Sequence, residues 1–360
     1  MTTRTRWTLC AVAGLALMGP SAAQAATKTV TMGPPPVPAA KPIGDKYDSD
    51  VLAYFPSSVA VRVGDTVSFQ PVGFHSVHFL GRKGKAAPVV VNGGKTVSGV
   101  LDAANVPFGF NGRKELNFNP IFFGPGKLGK TVVTDGTKEI KSGLPFSEKA
   151  KPMKVRFTKP GLFRYVCDIH AGMKGSVRVV PRSRAVPSAA SDARRVRTQI
   201  AKAITVAKGF QTAKAPANTV DVGLFRNNVS LFGFVPSKLT VPVGTTVTFR
   251  QVAGSSEIHT ATTGPGNPLK DPTSYLGKIA KAFETDDQPP QIGIQPSDPG
   301  ASPLLSSVLH GNGFWNSGVI DGVSLTSVLP NSAKVTFAQA GSYDFFCLVH
   351  PFMQATITVQ

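Results

Sequence analysis

Cysteine is nearly missing from this chain: 360 residues hold three, at positions 10, 167 and 347, which allows at most one internal disulfide. Long apolar runs are missing too. The stretch Trp7–Met18 is too short to span a bilayer comfortably, and nothing downstream resembles a membrane helix. Arg4 and Arg6 before that stretch and Ala23-Gln24-Ala25 after it mark residues 1–25 as an export leader. The mature protein is therefore expected to be soluble and exported, periplasmic or extracellular. Removing the leader discards Cys10 and leaves Cys167 and Cys347 as the only thiols.

Acidic residues are scarce, 20 against 39 Lys and Arg, and losing Arg4 and Arg6 with the leader lowers the formal charge from +19 only to +17. Such a balance favours acidic company: an acidic redox partner protein, or an anionic cell-envelope polymer or lipid surface. Nucleic acid is not expected, because the basic residues are spread out rather than interleaved with stacking aromatics. Long helical runs are few, whereas Gly 36, Pro 30 and Phe 23, with many Val and Thr, favour strands.

The chain repeats itself. The stretch "YFPSSVAVRVGDTVSF" from Tyr54 matches "FVPSKLTVPVGTTVTF" from Phe234. Gly64 and Gly244 lie 180 positions apart, as do Cys167 and Cys347, His170 and His350, and Met173 and Met353. Each copy opens with alternating apolar strands around a Gly turn and closes with an aromatic strand into the cysteine and a last alternating strand. About 335 mature residues exceed what one core usually serves. The expected fold class is all-β: two tandem Greek-key β-sandwich domains over residues 26–180 and 220–360. A basic linker at 181–219 joins them, with one helix capped by Ser191 or Asp192 and an apolar face of Val196, Ile200, Ile204 and Ala207. That helix reads as a solvated spacer packed on one domain. Long inserts at 81–150 and 262–333 are expected to carry short elements that cover a site.

The closing string C-x2-H-x2-M occurs twice, as Cys167-His170-Met173 and Cys347-His350-Met353. A structural disulfide requires neither histidine nor methionine at fixed spacing. Thiolate, imidazole and thioether form a soft set suited to copper, and a His2Cys site with a long axial Met suits electron transfer. The second imidazole comes from the second strand of each copy, His75 in "GFHSVHF" and His259 in "SEIHTAT"; His78, three residues on, would face away in a regular strand. The metal ligands read from sequence are thus His75, Cys167, His170 and Met173, and His259, Cys347, His350 and Met353, with one copper ion per domain.

These residues resemble the cupredoxins, the blue copper proteins. "FFCLVHPFMQATITV" is similar to the amicyanin loop and "YVCDIHAGMKGSVRVV" to plastocyanin-type domains. The resemblance implies cupredoxin-like domains in which the hydroxyl after the first histidine, Ser76 or Thr260, bonds to the cysteine loop. It also implies that the loop histidine is the electron portal. Asp168, in the first loop, reads as an ordinary solvated residue.

Histidine is scarce as well. Six are present, neither a His-x-His nor a His-Cys-His string occurs, and only His78 and His310 remain beyond the four assigned. That is too few for the trinuclear or three-histidine centres of multicopper oxidases and nitrite reductases. An electron carrier, not an enzyme, is the expectation; copper storage or delivery is the alternative, and a two-domain multicopper enzyme the less favoured one.

Overall fold

The computed structural model describes residues 25–360 apart from 83, 103–104, 106–111, 148, 286–287, 298–303, 306–313 and 324–327. The expected leader up to residue 24, with Cys10, and His310 lie outside the described residues. The protein is all-β, with a few helices set around four large sheets.

Alternation decides which faces are buried. In the strand Met153–Phe157 the pattern is buried-exposed-buried, and Met153, Val155 and Phe157 are fully enclosed. Two five-stranded sheets of the first half close over a core that includes Val30, Val67, Phe69, Phe157, Tyr165 and Val177. The second half closes over Val220, Val247, Phe249, Val335, Phe345 and Ile357.

The halves share their pairing in detail. The hairpin Gly161–Val166 with Lys174–Val180 has the register Gly161↔Val179, and Gly341–Phe346 with Gln354–Val359 has Gly341↔Val359. Each final strand then pairs in parallel with the strand that follows the early proline, Ser58–Arg62 or Lys238–Val241. Each hairpin therefore delivers its C-x2-H-x2-M string to the same end of its half.

Three features lock the halves together. Strand Ser49–Val51, from the first half, adds antiparallel to the edge strand Val229–Val235 of the second, with Asp50 opposite Ser230. The inserts meet: hairpin Val90–Thr96/Lys114–Phe118 packs Val90 and Leu116 on Ile294 and Val319, and Gln291 bonds both the N–H and the C=O of Leu116 at 3.0 and 2.9 Å. The linker helix Ala189–Phe210 is the third.

That helix differs from expectation in two ways. Ser188, not Ser191 or Asp192, caps it, its hydroxyl accepting from Ser191 N at 3.2 Å. Asp192 is drawn instead to two cations, Lys28 at 2.7 Å and Arg195. Nor is the helix a spacer on one domain. Ile200, Ala203, Ala207 and Phe210 are buried, in one cluster with Ile43, Tyr47 and Phe55 of the first half and Leu224, Val229 and Leu231 of the second. Val196 and Ile204 are only partly covered. Among the described residues no helix is long and apolar enough to cross a membrane.

Candidate metal centres

Each hairpin turn folds back through two backbone bonds. Cys167 N donates to Met173 O at 3.0 Å and Met173 N to His170 O at 3.0 Å; in the second half Cys347 N donates to Met353 O at 3.2 Å and Met353 N to His350 O at 2.9 Å. The bonds hold thiol, imidazole and thioether side chains within a single turn. Met173 and Met353 are both 1% exposed and lie in the same core clusters as their cysteines.

The turn meets a histidine from the strand side. His75, Cys167 and His170 form one buried group and His259, Cys347 and the half-buried His350 a second, all donor atoms within 4.8 Å of one another in each. In the first, Nδ1 of His75 and His170 are 2.9 Å apart and Cys167 Sγ is 3.5 Å from His170 Nδ1. In the second, the two Nδ1 atoms are 3.2 Å apart and Cys347 Sγ lies 3.7 and 3.8 Å from them. Both thiols are free and buried.

Glycine makes room for the strand-side rings. Gly33 (φ +105°) follows the first strand Thr27–Met32, Gly223 (φ +82°) sits at a register shift inside the strand Thr219–Arg226, and a Cβ on Gly223 would sit 2.8 Å from His259 Nε2. On Gly33 it would sit 3.0 Å from His75 Cδ2 and 2.5 Å from the Val72 carbonyl oxygen.

The hydroxyl bridge to the cysteine loop is present in both halves. Asp168 N donates to Ser76 Oγ at 2.9 Å and Leu348 N to Thr260 Oγ1 at 2.8 Å. Each sulfur also accepts a backbone N–H, from Ser76 at 3.4 Å and Thr260 at 3.3 Å.

Beyond these shared bonds the surroundings diverge. The first centre is ringed by carboxylates: Asp50 Oδ2 is 3.4 Å from His75 Nε2, and Glu257 Oε1 is 2.7 Å from His170 Nε2. Asp168 is not a solvated residue. Its side chain is 6% exposed, accepts from Ser76 Oγ at 2.9 Å, and takes His78 Nδ1–H at 2.6 Å, because those donors repay its burial. His78 stands outside the donor group, between Asp168 and Glu139 (Nε2 to Oε1 2.9 Å). The second centre is walled by aromatic rings: Phe232 lies 4.8 Å from the His350 ring and 5.9 Å from Phe352, centroid to centroid.

These surroundings set the protonation of the donors. At Cys167 burial opposes ionisation, but His170 and His75 overcome it and hold the thiol well below its ordinary value of 9.0. Burial likewise disfavours His170 as a cation, yet Glu257 and the Cys167 thiolate raise it well above 6.5. Burial alone pushes Cys347 up to about 11. Burial, then His350, brings His259 down to about 3. Glu257 resists burial through His170 and stays ionised, down to about 2.

Glu257 joins the two centres. Its second oxygen, Oε2, stands 3.9 Å from His350 Nε2, so a single buried carboxylate lies between the loop histidines of both halves. Neither Glu257 nor Asp50 is among the residues singled out from sequence. One signal was legible: Glu257 lies two residues before His259, the spacing that puts side chains on one face of an extended chain. Nothing marked Asp50, whose role depends on its strand crossing to the other half.

No family model and no curated protein matches this chain. Among solved structures, a methionine-to-alanine variant of amicyanin with Cu(I) is 16% identical, with 42% of this chain and 88% of that chain covered and a TM-score of 0.22. Amicyanin from Paracoccus versutus is 15% identical, with 42% and 87% covered and a TM-score of 0.22. At that score the likeness carries no weight, and the choice of metal rests on the donors themselves.

Proposed function

We propose that this chain is a cupredoxin-type copper protein that carries electrons, with one ion held in each half. The carrying observation is the convergence of one cysteine sulfur and two imidazole Nδ1 atoms, twice, in largely buried groups. Bonds of about 2.0 Å to nitrogen and 2.3 Å to sulfur around a single ion set donors roughly 3.3–3.7 Å apart. The separations of 2.9, 3.5, 3.2, 3.7 and 3.8 Å bracket that range. His75, Cys167 and His170, and His259, Cys347 and His350, would hold the ions, with Met173 and Met353 as weak axial donors.

Copper there supplies a reversible one-electron couple. The protein's part is to fix the donors in place in both oxidation states: the loop bonds, Ser76 and Thr260 hold the turns, Glu257 orients His170 by taking its Nε2–H, and the Asp50 carboxylate faces His75 Nε2 at 3.4 Å. Little rearrangement then accompanies each electron. His170 is 7% exposed and faces the second half, whereas Phe352, beside His350, is 54% exposed. A protein partner therefore reaches the second centre more readily, and the +19 formal charge favours an acidic one. We place the protein outside the cytoplasm, as a carrier and not an enzyme.

Titration of the full chain with copper(II) tests this. Two equivalents and intense thiolate-to-copper absorption are expected, with Cys167→Ser and Cys347→Ser each removing one equivalent and its share of the band. A colourless product overturns the reading; a third equivalent with oxidase or nitrite reductase turnover replaces it with an enzyme.

A further inference from the structure

Between the halves lies a cavity of about 690 Å3. Its polar floor is His170, Glu257 and His350, and its walls carry Phe118, Phe122, Phe146, Phe232 and Phe283, most of them from the inserts. Phe146 stands at the mouth, 65% exposed. A space of that size, apolar with a few convergent polar groups, is what small organic ligands occupy.

The polar groups narrow the guest. Although the chain holds 39 Lys and Arg, the described lining holds none, while Asp50, Glu257 and Glu284 all line it. Organic anions are therefore repelled. An organic cation gains little, because the Glu257 charge is already met by His170 at 2.7 Å. What remains open is an acceptor. The Glu257 side chain is 8% exposed, and its Oε2 stands 3.9 Å from His350 Nε2, beyond hydrogen-bond distance, while Oε1 meets His170. That oxygen faces the cavity and is open to a guest hydroxyl, whose bond to a carboxylate is among the stronger ones.

We propose that this cavity is a binding site for a small neutral hydroxyaromatic molecule of the phenol or hydroquinone class, its ring among the phenylalanines and its hydroxyl donating to Glu257. Aromatic walls favour a planar ring through edge-to-face contacts, and the acceptor fixes which end of the guest faces the histidines. Such a guest would lie against the edges of both loop histidines, where a protein surface does not reach His170. The site requires no metal.

Calorimetric titration of the metal-free full chain with 1,4-hydroquinone, phenol, toluene, benzoate and benzylamine tests it. One equivalent of hydroquinone or phenol is expected to bind saturably, with toluene and benzoate about tenfold weaker or more, the worth of a hydrogen bond to a charged acceptor. Glu257→Gln, which leaves only an uncharged amide acceptor, should shrink the preference over toluene, and Glu257→Leu, which leaves none, should erase it. Because these variants also lose a buried ion pair, Phe146→Ala, at an exposed position, serves as the second probe and should weaken both phenols. Equal binding of toluene and phenol, preference for benzylamine or benzoate, or no saturable binding overturns the proposal. Copper titration keeps the two ideas apart: phenol binding without a blue product sinks only the copper reading, and a blue product without phenol binding sinks only this one.

Discussion

The two centres share a skeleton and differ in their dielectric setting. Both turns use the same pair of backbone bonds and the same hydroxyl bridge. The equivalent positions around them do not match: Asp168 stands where the second half has Leu348, Gly73 where it has Glu257, and Ala171-Gly172 where it has Pro351-Phe352. Asp50 and Glu257 beside its two histidines favour ionised donors in the first centre, whereas burial keeps the second centre's thiol and His259 neutral. Backbone bonding therefore fixes the shape of a donor set, and the side chains one layer out fix its charge.

The shared skeleton is broken most completely from behind. Gly223→Ala adds a methyl 2.8 Å from His259 Nε2 at a φ of +82°, so the ring must leave its place. The expected outcome is loss of one of two metal equivalents and a cost of about 2 kcal/mol in the metal-free protein, read by metal analysis and denaturant unfolding. Gly33→Ala should remove the other equivalent. Retention of both ions by either variant would show that the glycines do not seat the rings.

The contrast in charge is sharpened by the thiols. Cys167 ionises well below 9.0 and Cys347 at about 11. At neutral pH the metal-free chain should carry one thiolate, lost in Cys167→Ser and kept in Cys347→Ser, with the second appearing only as pH rises toward 11. Ultraviolet thiolate absorbance across a pH series checks this; two thiolates at neutral pH would erase the difference between the sites.

Glu257 sharpens it further by acid. Its carboxyl ionises at about 2 against an ordinary 4.5, so it stabilises the folded state above pH 4.5 and that contribution is lost as pH falls through about 2. The shift corresponds to about 3 kcal/mol, and Glu257→Gln should cost about that much at neutral pH and flatten the acid limb of stability. His170, raised by the same contact, has the opposite sign: its contribution is full below 6.5 and is lost as pH rises through its elevated value. An acid limb unchanged in the variant would mean that the pair contributes no net stability.

Legibility in the sequence tracks the repeat. A strand pattern with period two and a ligand string with fixed spacing are local, so the hairpins and the two donor turns could be read from 180-residue self-similarity. Glu257 acts across the boundary between halves, and Asp50 meets His75 of its own half from a strand, Ser49–Val51, that pairs with the other half, so both roles depend on how the halves dock. No periodicity encodes that. The helix cap was misplaced for a related reason: Asp192 is a good cap by type, but Lys28, 164 residues away, claims it.

The smallest expected change comes from one outer carboxylate. Asp168 takes the protons of Ser76 and His78 at its two oxygens, while its backbone N–H, and that of Leu348 in the second half, serve the hydroxyl bridge. Asp168→Asn keeps the shape and the backbone bond, removes the charge, and turns one of the two acceptor oxygens into a donor. If orientation by the backbone suffices, metal affinity should fall at the first centre by about tenfold, the usual scale for such an outer partner, and the second should be untouched. Competition titration of the Cys347→Ser background, where only the first centre remains, measures that ratio. A loss of a hundredfold or more would mean that the carboxylate charge, not the loop geometry the halves have in common, holds the first centre together.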